Sequence, residues 1–136
     1  MINEKLFSPK SIVVVGASND TSKPGGKLLK NLIDTNYGGN LMVINPKQTE
    51  VQGIRSYATA ADAPEAELAV LAIAAPLCPA MVDQLATHNK TEAFIIISAG
   101  FSEVGETGAQ LEHELVEIAN KHNASLIGPN CIGLLT

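Results

Sequence analysis

The stretch Ile12-Val13-Val14-Val15-Gly16-Ala17-Ser18 sets four consecutive branched apolar residues against a glycine and two small residues. A run that is apolar at every position, rather than at every second one, is expected of a strand covered on both faces. The glycine that follows marks a tight turn out of the strand. Four further runs of strand length recur along the chain, at Leu41–Ile44, Leu68–Ile73, Ala93–Ile97 and Ser125–Ile127. Between them lie three helical patterns. The first spans about Gly26 to Tyr37, with Leu28, Leu29, Leu32 and Ile33 on one face, and stops at Gly38-Gly39. The second spans about Pro79 to Asn89 and the third about Gly108 to His122, with Leu111, Leu115, Ile118 and Ala119 inward. Gln48 to Glu67 is less regular, with room for one helical turn at Thr59–Asp62. Strands that alternate with helices make βαβ units with right-handed crossovers. The expected fold is α/β, a doubly wound parallel sheet of five strands ordered 3-2-1-4-5, in one domain over residues 1–136.

Composition agrees. The 136 residues are 46% hydrophobic and 17% charged, enough to build one sizeable core and incompatible with disorder. Aromatics are 4% and tryptophan is absent, so Val, Ile, Leu and Ala must fill that core. Fourteen acidic and nine basic residues give a net charge of −5, which removes the basic footprint nucleic acid requires. The two cysteines, Cys78 and Cys131, form no CxxC pair and fit free thiols in a reducing compartment. Met1–Lys10 lacks an apolar signal region, and the longest apolar stretch, Leu68–Val82, is interrupted by Pro76 and Pro79. The expectation is a cytoplasmic, soluble chain with no membrane partner.

In a doubly wound sheet a ligand sits beyond the carboxyl ends of the strands, where strand order reverses. The five strand ends read Gly16-Ala17-Ser18 with Lys23-Pro24-Gly25-Gly26; Asn45-Pro46-Lys47; Ala74-Ala75-Pro76; Ser98-Ala99-Gly100; and Gly128-Pro129-Asn130-Cys131. Small residues let backbone N–H groups approach an anion, and a helix N-terminus adds partial positive charge. Glycine and proline also punctuate strand ends in any α/β domain, but five such loops converging on one edge favour a phosphate-bearing ligand. The NAD fingerprint would place an acid about 20 residues past its glycines. Asn45 stands there instead, with Lys47 close behind, an arrangement suited to a phosphate on the adenosine ribose. NADP and coenzyme A both satisfy it.

Phe7-Ser8-Pro9-Lys10-Ser11 leading into Ile12–Ser18, then Lys23–Gly26, Val43–Lys47, Ser98–Gly105 and Leu126–Gly133, together resemble the CoA-binding domain of NDP-forming acyl-CoA synthetases, relatives of the succinyl-CoA synthetase α subunit. The five motifs occur in the family's order and span the chain. The resemblance implies a Rossmann-like domain that binds coenzyme A. Gly16, Ala17 and Ser18, with Lys23, Gly25 and Gly26, would hold its phosphates. Asn45, Pro46 and Lys47 would meet the adenosine end, and Ala75 and Pro76 lie at the next strand end. Ser98, Ala99 and Gly100 would line the pantetheine path, and Pro129, Asn130 and Cys131 would sit near the thiol. It further implies ligation of a carboxylic acid to CoA, with ATP or GTP cleaved, through a phosphohistidine carried by a following domain and a nucleotide bound by an ATP-grasp domain.

Neither of those parts lies within the sequence, which ends at Thr136, so binding without turnover is expected, with the missing domains or subunit as partners. No catalytic residue is assigned. Cys131 has no neighbouring base in sequence to activate it, and Cys78 is read as structural. His88, His113 and His122 are read as helix-surface residues, and His113-Glu114 lacks the second histidine of a zinc-binding H-E-x-x-H, so no metal is assigned. A free-standing CoA-binding module and a fragment of an NADP-dependent oxidoreductase are the alternatives.

Overall fold

The computed structural model describes residues 10–35, 38–97 and 106–127. The elements run β1 (Ser11–Val15), α1 (Pro24–Asp34), β2 (Asn40–Ile44), β3 (Glu50–Val51), β4 (Ile54–Tyr57), β5 (Leu68–Leu71), α2 (Cys78–His88), β6 (Ala93–Ile96), α3 (Glu106–Lys121) and β7 (Ser125–Ile127). Each of the five apolar runs is a strand. β1 is central, paired in parallel to β2 on one side (Val14 opposite Val43) and to β5 on the other (Val14 opposite Val70). All five of its residues are buried, which accounts for its unbroken apolar sequence.

The alternating side chains of β1 serve two cores. Ile12 and Val14 join Val43, Val70 and Leu29 of α1 on one face. Val13 and Val15 join Leu71, Phe94, Val82 and Leu85 of α2 and Leu115 of α3 on the other. Phe94 is the largest fully buried side chain. Residues of this size each contribute about 1.5–3 kcal/mol on burial, so the two cores hold α1 below the sheet and α2 and α3 above it.

Strand count and order depart from expectation. The described residues form seven strands in the order β3-β4-β2-β1-β5-β6-β7. The run Leu68–Leu71 does not lie beyond β2; it lies against β1, on the side opposite β2. The place beyond β2 belongs to β4, whose Ser56 and Tyr57 pair in parallel with Val43 and Ile44. β4 turns back antiparallel on β3 through Gln52 (φ 51°) and Gly53 (φ 82°). Positive φ at both central residues is the two-residue hairpin turn that follows the sheet's twist. The sequence Ile54-Arg55-Ser56-Tyr57 carries no apolar run, because only Ser56 of the four is buried. That is why the strand escapes a search for continuous hydrophobic stretches. Order still reverses between β1 and β5, so the crevice stays where the parallel sheet predicts it.

Helix boundaries shift slightly. Pro24, rather than Gly26, opens α1, as suits a residue without an N–H in a first turn. α1 ends at Asp34, where the hydroxyl of the following Thr35 donates to the Asn31 carbonyl at 2.8 Å. The helical turn expected near Thr59–Asp62 is a short 3-10 turn at Ala60–Asp62. Among the described residues, no helix is long and apolar enough to cross a membrane.

Candidate functional site

A cleft of about 360 Å³ opens at the carboxyl ends of β1 and β2. Val15, Gly16 and Ile44 form its floor, with Asn45, Pro46 and Lys47 on one side. Ala58, Ile73, Leu77, Ala80, Met81 and Gln84 complete the lining. Among these described lining residues Lys47 alone is charged, and its side chain is exposed with no ion-pair partner among the described residues. Leu77 is 58% exposed, an apolar side chain offered to the cleft rather than to the core. A mostly apolar lining beside one described cation suits an aromatic base attached to a phosphorylated sugar.

Next to the cleft, the β1–α1 loop is folded tightly onto the first turn of α1. Gly16 has φ 86°, and a Cβ there would lie 2.5 Å from the Ala72 carbonyl oxygen and 2.9 Å from Ile73 Cγ2. A Cβ on Gly25 would lie 2.5 Å from the Gly16 carbonyl oxygen; one on Gly26 would collide with the Asp20 carbonyl oxygen and lie 2.8 Å from that of Ser18. These close approaches give the three glycines a packing reason of their own. They allow the loop, α1 and the end of β5 to pack together, because backbone oxygens already occupy the positions of the missing side chains.

The loop leaves donors without an acceptor among the described residues. No described residue accepts a hydrogen bond from the N–H of Ala17, Ser18 or Asn19. At the start of α1 no side chain caps the helix and no acid stands in its first turn. The first N–H groups of a helix have no partner within it, so this end carries partial positive charge. The Ser18 hydroxyl accepts from Asp20 N–H at 3.0 Å, which commits it to the turn. Asp20 in turn accepts from the Ser22 hydroxyl at 2.6 Å and the Ser22 N–H at 3.0 Å. Those two bonds, hydroxyl first, hold its carboxyl below the usual carboxylate range. Donors near a helix start, beside an apolar cleft with one lysine, fit the diphosphate and the adenosine of a nucleotide-bearing ligand.

The sequence-predicted residues divide accordingly. Gly16, Asn45, Pro46 and Lys47 line the cleft. Asn45, expected to receive the ligand, also makes hydrogen bonds within the chain. Its side-chain amide donates to the Ala17 carbonyl at 3.0 Å, and its Oδ1 accepts from Lys47 N–H at 2.9 Å. It fastens the β1 loop to the end of β2 and aims the backbone at Lys47. Ala17 is buried, with its side chain in the core shared with Leu29 of α1. Lys23 is exposed at the start of α1, away from the cleft lining, and Pro76 is exposed in the turn before α2, also outside it; Ala75 shares that turn. Ser98, Ala99, Gly100, Pro129, Asn130 and Cys131 lie outside the described residues.

Other residues were not legible as part of the site. Leu77 and Met81 read in sequence as ordinary apolar residues, and only the tertiary structure brings them into the same cleft lining as Lys47. Gln52, at the tip of the β3–β4 hairpin, reaches into the loop through its side-chain amide, 2.8 Å from the Ser18 carbonyl and 2.9 Å from that of Gly26. The only signal for it was a glycine directly after it. Cys78 is fully buried, as its structural reading requires. His113 pairs on the surface with Glu117. His122 is corrected from a solvated position: its Nε2 lies 2.8 Å from Asp83 Oδ1 and bridges α3 to α2. That hydrogen bond holds the Asp83 carboxyl below the usual range.

Comparison with known proteins places this geometry. Residues 10–136 match the CoA binding domain family. The chain is 40% identical over 133 residues to acetate–CoA ligase (ADP-forming) I of Archaeoglobus fulgidus, an alignment covering 97% of this chain and 19% of that protein. It is 38% identical over 131 residues to the alpha subunit of acetate–CoA ligase (ADP-forming) II of Pyrococcus furiosus, covering 96% and 28%. The apo structure of the Ca. Korarchaeum cryptofilum dinucleotide-forming acetyl-coenzyme A synthetase 1 superposes with a TM-score of 0.84 at 34% identity, over 93% of this chain and 27% of that one. The chain thus spans less than a third of the length of each of these relatives.

Proposed function

The chain belongs to the CoA binding domain family, and on that premise we propose that it binds coenzyme A as one domain, residues 1–136, of an ADP-forming acyl-CoA synthetase. The single observation that carries the reading is the juxtaposition at the end of β1. N–H groups of Ala17–Asn19 without a described acceptor, and the start of α1, stand beside an apolar cleft whose only charged lining residue among those described is Lys47. In this assignment the loop receives the diphosphate, Leu77 and Met81 flank the adenine, and Lys47 takes the ribose phosphate. Ser98–Gly100 and Pro129–Cys131 keep the pantetheine and thiol-end roles that the resemblance implies. Coenzyme A supplies the thiol to which an acyl group is joined.

The residues of this chain bind and orient, and no acid, base or nucleophile is assigned among them. Turnover belongs to a phosphohistidine-bearing domain and an ATP-grasp domain in the larger protein. A cytoplasmic location belongs to the same reading, since two cysteines outside any CxxC pair suit a reducing compartment.

Thermal unfolding with saturating CoA, dephospho-CoA or NADP tests the reading. Ligand at 100 times its dissociation constant adds about 2.7 kcal/mol of stability. CoA should raise Tm, and dephospho-CoA should do so less. Lys47→Ala should cost CoA about 1–3 kcal/mol, the scale of a lost charge-assisted hydrogen bond, and cost dephospho-CoA little. A response to NADP alone sinks the assignment, and equal losses for both CoA forms remove Lys47 from the ribose phosphate.

A further inference from the structure

The β3–β4 hairpin lies at the edge of the sheet, yet its tip carries three hydrogen bonds into the β1–α1 loop. Gln52 N–H donates to Asn19 Oδ1 at 2.8 Å. The two protons of its side-chain amide go to carbonyl oxygens eight positions apart in sequence, Ser18 and Gly26. One end of this span leaves β1 and the other lies in the first turn of α1. A single amide therefore holds both sides of the anion-receiving loop. Gln52 does so from a left-handed backbone (φ 51°), a conformation that asparagine or glycine adopts with less strain. The residue at this turn is the one with the longer amide reach.

We propose that Gln52 is a positioning residue for phosphate recognition. By drawing the Ser18 and Gly26 carbonyls to the hairpin side, it keeps their negative oxygens away from the ligand. It also leaves the N–H groups of Ala17–Asn19 and the start of α1 pre-aimed at a diphosphate. Gly26 supplies an independent reason why the arrangement is specific, since the Ser18 and Asp20 carbonyls rest directly on its Cα. Pre-organised donors bind an anion without first paying to order a loop. The inference rests on the CoA reading for the identity of the ligand, and on hydrogen bonds alone for the clamp.

Gln52→Asn is the decisive variant. Asparagine tolerates the left-handed turn, so the hairpin is retained, but its amide is one methylene too short to hold both carbonyls. Gln52→Met, which keeps the length and removes the donors, should repeat its effect. Dissociation constants are measured for CoA and for adenosine 3′-phosphate, which has the ribose phosphate and no diphosphate. Gln52→Asn should weaken CoA about tenfold, on the scale of one or two net hydrogen bonds, and leave adenosine 3′-phosphate within about twofold. Lys47→Ala should weaken both. Equal weakening of both probes by Gln52→Asn, or none of CoA, overturns the proposal, since a purely structural role would not discriminate between them. If the unmutated chain binds no CoA, it is the functional reading that fails, and amide hydrogen exchange judges the clamp. Faster exchange across residues 18–26 in Gln52→Asn, with β1 and β5 unchanged, supports it; an unchanged loop refutes it.

Discussion

Gly16→Ala separates two reasons a glycine can be required at the end of β1. If the residue is glycine to admit phosphate, the variant should fold normally and lose the ligand. The structure predicts the reverse. A non-glycine residue at φ 86° costs about 1–2 kcal/mol in backbone strain. Its Cβ would also sit 2.5 Å from the Ala72 carbonyl oxygen, a backbone atom that cannot rotate away. Ala72 N–H donates to the Val15 carbonyl at 2.8 Å, so moving Ala72 disturbs the ladder between β1 and β5. Overpacking of this kind typically costs another 1–3 kcal/mol. The sum is about 2–5 kcal/mol, a large part of the stability of a small domain. Gly53→Ala is the internal control, because φ is 82° but nothing lies within 4 Å of the added Cβ. It should cost only about 1–2 kcal/mol. Urea unfolding without ligand measures both, and their difference isolates the steric contribution. Equal stability losses for the two variants, or a Gly16→Ala protein as stable as the parent that no longer responds to CoA, would refute this account of Gly16.

Asn45→Asp replaces the amide donor to the Ala17 carbonyl with a carboxylate oxygen. Urea unfolding at pH 7 should show a loss of about 1–3 kcal/mol, the cost of opposing a partly buried acceptor with another acceptor. No loss would mean that the contact does not tie β2 to the loop. Asp83→Ala should destabilise by less than about 1 kcal/mol at pH 7, since the pair with His122 is partly exposed. Because the folded carboxyl lies below its ordinary value of 3.8, its contribution is present above that pH and lost as pH falls through the lower folded value. Denaturation curves of parent and variant should converge at acid pH, and a gap that persists unchanged there would remove the bridge as its cause.

The wound α/β architecture was legible because burial on both faces writes itself directly into composition. β1, β5 and the inner half of β2 are apolar at successive positions, and helices with one apolar stripe stand between them. β3 and β4 were not legible, since an edge hairpin buries only one residue of each strand and its turn uses Gln-Gly rather than a common turn pair. The order 3-2-1-4-5 puts the run that forms β5 in the place beside β2 that β4 holds. In the site, Gly16 and Lys47 stood out by type and spacing. The roles of Gly25 and Gly26 did not, since a glycine that admits a ligand and one that admits a neighbouring backbone look alike in sequence.

Local sequence by itself determined the layers, the strand ends at which such a sheet is expected to take a ligand, and the motif order that marks the family. Those properties depend on short-range patterns: hydrophobic period, turn residues and helix starts. Tertiary structure alone decided which side of β1 receives β5, that Asn45 bonds to Ala17 and Lys47, and that Gln52 holds a loop more than 25 residues before it. These depend on contacts between segments distant along the chain. Hydrogen-bond directions and close backbone approaches of that kind leave no periodic trace in the order of residues.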